Sequence, residues 1–177
     1  SPAGASGFWQ FMKSAAKEYG LEVGDQVDER YHLEKATQAA CDYLNAAKRS
    51  TGSWTMAAAA YNAGVAGMNR QANLQETNNY YDLWLNNETS RYVFRILAVK
   101  EIMKNPKKYG FIFDKRHLYN ELPTYSVMID SSITNLISFA KQYNITYKDL
   151  KIYNPWLRDR KLENKDGKTY YIKIPKK

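Results

Sequence analysis

The chain has 177 residues, enough for one domain or two small ones. Its 44% hydrophobic and 25% charged content excludes a disordered chain. A balance of 26 Lys and Arg against 18 Asp and Glu gives +8, which points to an anionic partner such as nucleic acid, acidic lipid or a cell-wall polymer. Acids interrupt the basic residues along most of the chain, and no basic helix or zinc-finger spacing occurs, so nucleic acid is disfavoured. No apolar run reaches bilayer length.

Aromatic residues are abundant, with 15 Tyr and 4 Trp. Their flat apolar faces and polar edges suit sugar rings, and equally suit cores. Cys41 is the only cysteine, so no intrachain disulfide can form, and its neighbours Ala39, Ala40, Tyr43 and Leu44 suggest a buried packing thiol. Only His32 and His117 accompany it, and no Gly-rich phosphate loop is present. Neither a metal nor another cofactor is expected. The chain opens Ser1-Pro2 without Met and reads as a fragment or processed form, so the lack of a targeting signal carries no information.

In chain order, Ser1 to Gly7 is a small-residue loop, and Phe8 to Gly20 has the spacing of a helix with Gln10 as its one amide among large apolar neighbours. Asp28-Glu29-Arg30 opens a second helix whose Ala36, Ala39, Ala40, Tyr43, Leu44 and Ala47 recur at helical spacing. Ser53 is the expected N-cap of a third, Ala57-Ala58-Ala59-Ala60-Tyr61-Asn62-Ala63-Gly64. Its four alanines make a slim helix, and Gly64 ends it, delivering a Tyr hydroxyl and an Asn amide at the C-terminal end. On spacing alone, the plainer reading is a small-residue core helix with Asn62 as its C-terminal cap. Val65 to Ala72 forms a short helix, Asn73 to Asn87 a polar and aromatic loop, and Glu88 to Lys104 a long helix with Val93, Ile96, Leu97, Val99, Ile102 and Met103 as its apolar set. Asn105-Pro106 stops it. Residues 105–121 read as a connecting arm. Tyr125–Ile129 and Thr169–Ile174 then read as strands, enclosing helices around Ile133–Tyr143 and Tyr147–Tyr153.

Three segments together resemble lytic transglycosylases of the membrane-bound murein transglycosylase D type, which share the goose-type lysozyme fold. Gly7-Phe8-Trp9-Gln10-Phe11 is similar to the family's Gly-Leu-Met/Trp-Gln segment, Ala60-Tyr61-Asn62-Ala63-Gly64 matches its Ala-Tyr-Asn-Ala-Gly segment, and Glu88-Thr89-Ser90-Arg91-Tyr92 resembles its Glu-Thr-x-x-Tyr segment. His32-Leu33 stands where an Asp-Pro pair is common. The last fifty or so residues resemble a LysM module through Tyr125-x-Val127, Asn144-Ile145-Thr146, Asn154-Pro155 and Ile174-Pro175, with Asp130-Ser131-Ser132 replacing the usual Gly-Asp-Ser/Thr loop.

The resemblance implies a mainly α, lysozyme-like SLT domain lacking its N-terminal part over residues 1–104, an arm over 105–121 and a small β-α-α-β LysM-like domain over 122–177. It implies a peptidoglycan lytic transglycosylase that cleaves the β-1,4 bond between N-acetylmuramic acid and N-acetylglucosamine without water, leaving a 1,6-anhydro end. The family's catalytic Glu, followed by Ser, falls before Ser1, so this fragment is expected to be inactive. Gln10, Tyr61, Asn62 and Tyr92 are the expected substrate-binding residues, with Tyr61 or Tyr92 also placed to hold that Glu. Glu18 and Glu88 are candidate acids by residue type alone, and Glu88 reads more simply as a helix-start residue. In the LysM-like module, Asp130, Ser131 and Trp156 are the expected glycan contacts, and Trp9 is expected in the core. Peptidoglycan strands are the expected partner, with a periplasmic or cell-envelope location, a possible outer-membrane anchor upstream and a monomeric state. A non-catalytic glycan-binding protein and a hydrolytic lysozyme are the alternatives.

Overall fold

Helices begin and end where side chains can satisfy the backbone groups that the helix leaves open. The computed structural model, which describes residues 1–176, contains seven α-helices and two strands among them. They are α1 (Lys13–Glu18), α2 (Leu33–Thr51), α3 (Trp54–Ala63), α4 (Val65–Leu74), α5 (Asn87–Lys104), β1 (Thr124–Ile129), α6 (Leu136–Gln142), α7 (Tyr147–Tyr153) and β2 (Tyr170–Pro175). The chain divides into two compact units, one of Ser1–Ala40 with Asn120–Lys177 and one of Cys41–Tyr119.

In the first unit, β1 and β2 pair antiparallel with Val127 opposite Ile172. Between them, Asn135 caps α6 by accepting from the Ile137 and Ser138 amides, and Thr146 with Asp149 forms a capping box at α7. Leu136, Ala140, Leu150, Ile172 and Ile174 make the core. Asn154 is fully buried there, and its side chain accepts from the Lys173 amide and donates to the Lys173 carbonyl, both at 2.7 Å. It therefore replaces a strand neighbour on β2. The β-α-α-β reading holds.

Residues 21–31 dock on this module. Val27 bridges Leu157 and joins the module's core, the Asp28 amide donates to the Trp156 carbonyl at 2.9 Å, and the Arg158 amide donates to the Gln26 carbonyl at 2.7 Å. Upstream, the helix expected from Phe8 starts only at Lys13. Gly7 and Gln10 both have positive φ, 76° and 51°, and Ser6 pairs with Phe11, so Gly7 to Phe11 is a tight turn. A positive φ at a non-glycine residue cannot continue a helix.

In the second unit, Ser53 caps α3 by accepting from the Met56 amide, and Gly64 closes it with φ 79°. Ala57, Ala59 and Ala60 are fully buried, with Met56, Met68, Tyr80, Leu83 and Val93 around them. Small side chains are what let α4 and α5 lie against α3. Two differences from the expected pattern stand out. On α5 the buried residues are Thr89 and Val93, whereas Ile96, Leu97, Val99 and Met103 are exposed. Cys41 is also exposed, because the buried stripe of α2 runs through Ala36, Ala39, Ala40 and Ala47 and Cys41 lies off it. The arm holds two 3-10 turns, Pro106–Tyr109 and Lys115–His117, the second capped by Asp114.

Candidate active site

The slim helix α3 delivers Tyr61 and Asn62 at its end, as its sequence implies. Asn62 does not cap the helix. Its Oδ1 accepts from the Thr89 hydroxyl at 2.9 Å and its Nδ2 donates to Glu88 Oε1 at 3.0 Å. Both partners sit in the first turn of α5, whose N-cap is Asn86, accepting from the Thr89 amide at 2.9 Å. Thr89 is buried, and its carbonyl accepts from the Tyr80 hydroxyl at 2.8 Å. The end of α3 is therefore clamped to the start of α5 by one continuous polar network, which fixes the Asn62 amide in one orientation.

Tyr61 packs edge-to-face on Tyr43, with ring centroids 5.2 Å apart, and Tyr43 donates its hydroxyl to the Ala60 carbonyl at 3.0 Å. Burial raises the Tyr61 pKa, with smaller contributions from Tyr92 and Tyr43, and burial also raises that of Tyr92. Both phenols thus remain neutral hydrogen-bond donors across the physiological range. Tyr61, Asn62, Glu88, Thr89 and Tyr92 all belong to the second unit. Such an arrangement can position hydroxyl and amide groups of a neutral ligand. Glu88 is exposed and tied to Asn62, which suits an orienting partner better than a buried acid.

Gln10 belongs to the first unit. It is exposed, and its Nε2 donates to the Gly7 carbonyl at 2.6 Å. It is not the buried amide that its neighbours suggest. Its turn is held from behind by Arg30, whose Nη1 donates to the carbonyls of Gly4 at 2.9 Å and Phe11 at 3.1 Å. Arg30 is in turn paired with Asp28 at 2.7 Å, and this pairing raises its pKa. Trp9 is half-buried and donates to Thr37 at 2.9 Å.

In the β-α-α-β module, Asp130 and Ser131 are exposed on the loop after β1. Ser132 accepts from the Asn164 amide at 2.9 Å and so joins that loop to the one before β2. Trp156 does not fit the expected role of a glycan contact. It is 3% exposed, stacked on Tyr170 and on His32, so its faces are already covered.

Thr89 and Arg30 are the supporting residues that residue type alone did not single out. Thr89 stood inside the quoted Glu-Thr segment, where the helix N-terminus was its only visible signal. Arg30 stood directly after Asp28-Glu29, acids that read as a helix start.

A model of the transglycosylase SLT domain matches residues 1–84, and a model of the soluble lytic transglycosylase C-terminal LysM-like domain matches residues 125–177. Two curated relatives, the membrane-bound lytic murein transglycosylases D of Escherichia coli strain K12 and of Escherichia coli O6:H1, are each 28% identical over 182 residues, a match that takes in 100% of this chain and 39% of the relative. The chain thus spans about two fifths of the length of these relatives. It carries an SLT transglycosylase domain and a LysM-like C-terminal domain homologous to those of lytic murein transglycosylase D.

Proposed function

We propose that the intact protein cleaves the β-1,4 bond between N-acetylmuramic acid and N-acetylglucosamine in peptidoglycan and leaves a 1,6-anhydro end. The observation that carries this reading is the clamped Tyr61-Asn62 end of α3, an oriented pair of neutral polar groups within the segment that matches the SLT domain. In the second unit, Asn62 and the Tyr61 and Tyr92 hydroxyls hold sugar hydroxyl and acetamido groups; in the first, Gln10 is a separate substrate contact.

The general acid is the Glu that the resemblance places upstream of Ser1. It protonates the leaving oxygen and then, as carboxylate, takes the proton from the muramyl 6-hydroxyl as that oxygen closes on C1. One carboxyl group serves both steps because the nucleophile belongs to the substrate and is already in place. The 177-residue chain alone is then inactive.

In this reading residues 1–104 form the catalytic domain's share, 105–121 the arm and 122–177 the module that holds peptidoglycan through Asp130 and Ser131. The protein works as a monomer in the cell envelope; no helix among the described residues is long and apolar enough to cross a membrane. The mass of the released muropeptides tests the reaction: anhydro ends are one water lighter than hydrolysed ends. Hydrolysed ends from the active protein would make it a lysozyme.

A further inference from the structure

Every residue from Lys107 to Tyr119 is exposed, yet this stretch of the arm is folded. Gly110 closes the Pro106–Tyr109 turn with φ 83°, and Asp114 and His117 form a capping box at the second turn. The first turn is fixed to the end of α5, where Glu101 accepts from the Asn105 side-chain amide at 3.0 Å. From this frame Tyr109, Phe111, Ile112, Phe113, Leu118 and Tyr119 stand in solvent, Ile112 at 84% exposure. None of them belongs to either core cluster. So dense a run of large apolar side chains goes beyond the single exposed residues ordinary on a surface.

The same stretch is basic. Residues 104–119 carry Lys104, Lys107, Lys108, Lys115 and Arg116 against Asp114 alone. Asp114 is paired with Arg116 at 2.7 Å, and Glu101 on α5 lies 3.5 Å from Lys108. Lys104, Lys107 and Lys115 have no carboxylate partner among the described residues. Protein interfaces enrich aromatic residues but deplete Lys. Aromatic and aliphatic side chains interleaved with Lys and Arg instead suit the boundary between lipid headgroups and acyl chains. There the apolar groups leave water while the long cationic side chains reach the phosphates. A soluble polyanion would engage the cations and leave the apolar groups in water.

We propose that the arm from Lys104 to Tyr119 docks on an anionic lipid surface. Phe111, Ile112 and Phe113 enter the headgroup boundary, and Lys104, Lys107 and Lys115 meet lipid phosphates. The arm lies outside both matched regions, residues 1–84 and 125–177, and the assignment does not depend on the murein reading.

The test is sedimentation of the 177-residue chain with sucrose-loaded vesicles, one set of phosphatidylglycerol and phosphatidylethanolamine, the other of phosphatidylcholine alone. Binding is expected to the anionic set, to weaken in about 0.5 M salt, and to be retained by a chain extended upstream. Lys107→Gln with Lys115→Gln is expected to weaken it roughly 25-fold, about fivefold for each cation. Ile112→Ser is expected to weaken it roughly tenfold. Lys13→Gln with Lys165→Gln removes the same charge from exposed positions in the first unit and is expected to leave binding unchanged. No binding, equal binding to both vesicle sets, or equal weakening by the two lysine pairs would overturn the assignment. A dimer that Ile112→Ser abolishes, formed without vesicle binding, would overturn it in favour of a second copy. Binding that the extended chain lacks would overturn it in favour of an upstream segment covering the arm. The vesicles contain no murein, so a failure here is distinct from a failure to digest peptidoglycan.

Discussion

The Thr89 hydroxyl donates to Asn62 Oδ1 at 2.9 Å, and this bond ties the last turn of α3 to the first turn of α5. Thr89→Val keeps the shape of the side chain and leaves Asn62 Oδ1 without its donor. The variant should lose about 1 kcal/mol of stability, the low end of the cost of an unpaired polar atom, because Asn62 is only partly buried. In an active, upstream-extended chain it should also lower turnover. Asn62→Ala should do both as well, while Tyr61→Phe should lower turnover with a smaller change in melting temperature. Thermal melts and initial rates on peptidoglycan separate these outcomes, and unchanged turnover in all three variants would remove the pair from the site.

Gly7 is the tightest point of the Gln10 turn. A Cβ there would lie 1.8 Å from the Arg30 carbonyl oxygen, and φ is 76°. Backbone cannot yield as a flexible side chain does, so Gly7→Ala should destabilise the first unit by about 3 kcal/mol or more. Its denaturant midpoint should fall clearly below that of Ala3→Gly, a change at an exposed loop position.

Arg30 and Asp28 form a pair with side chains only 10% and 9% exposed. Arg30→Met leaves the Asp28 carboxylate buried without its cation and also frees the Gly4 and Phe11 carbonyls. A loss of about 3–5 kcal/mol is expected. Adding Asp28→Asn should recover part of it, and a double-mutant cycle in denaturant measures the coupling.

Burial against Trp156 lowers the His32 pKa below its ordinary 6.5; Glu34 and Glu29 oppose this, and Lys35 and Lys173 reinforce it. As pH falls below 6.5, the unfolded chain takes up the proton before the folded one does. Stability should therefore decline as pH falls from 6.5 and level off below the folded-state value. The lowered pKa of Glu34, caused first by its bond to Lys173, acts in a separate window below 4.5. Melting temperatures between about pH 7 and 5 isolate the imidazole, and His32→Gln should flatten that slope.

The parts of the fold fixed by local chemistry were legible in the sequence. Ser53 and Gly64 bound α3 because a hydroxyl cap and a positive-φ residue are local devices, and β1-α6-α7-β2 followed from periodicity. The parts fixed at a distance were not. Gln10 takes a positive φ in a turn that Arg30 holds from twenty residues away in sequence, where Phe8-Trp9-Gln10-Phe11 by itself has a helix's spacing. Trp156 was expected as a glycan contact because nothing local reveals that His32 and Tyr170 cover it. The placement of Tyr61 and Asn62 in the last turn of α3 was legible, but the Asn62–Thr89–Glu88 bonding that orients Asn62 joins two helices and has no local signature.

The most direct measurement is digestion of purified peptidoglycan by a chain extended upstream through the expected Glu-Ser, in parallel with the 177-residue chain, with products read by mass spectrometry. The account predicts anhydro-muropeptides from the extended chain and none from the shorter one. No product from either chain, or products one water heavier, would contradict it.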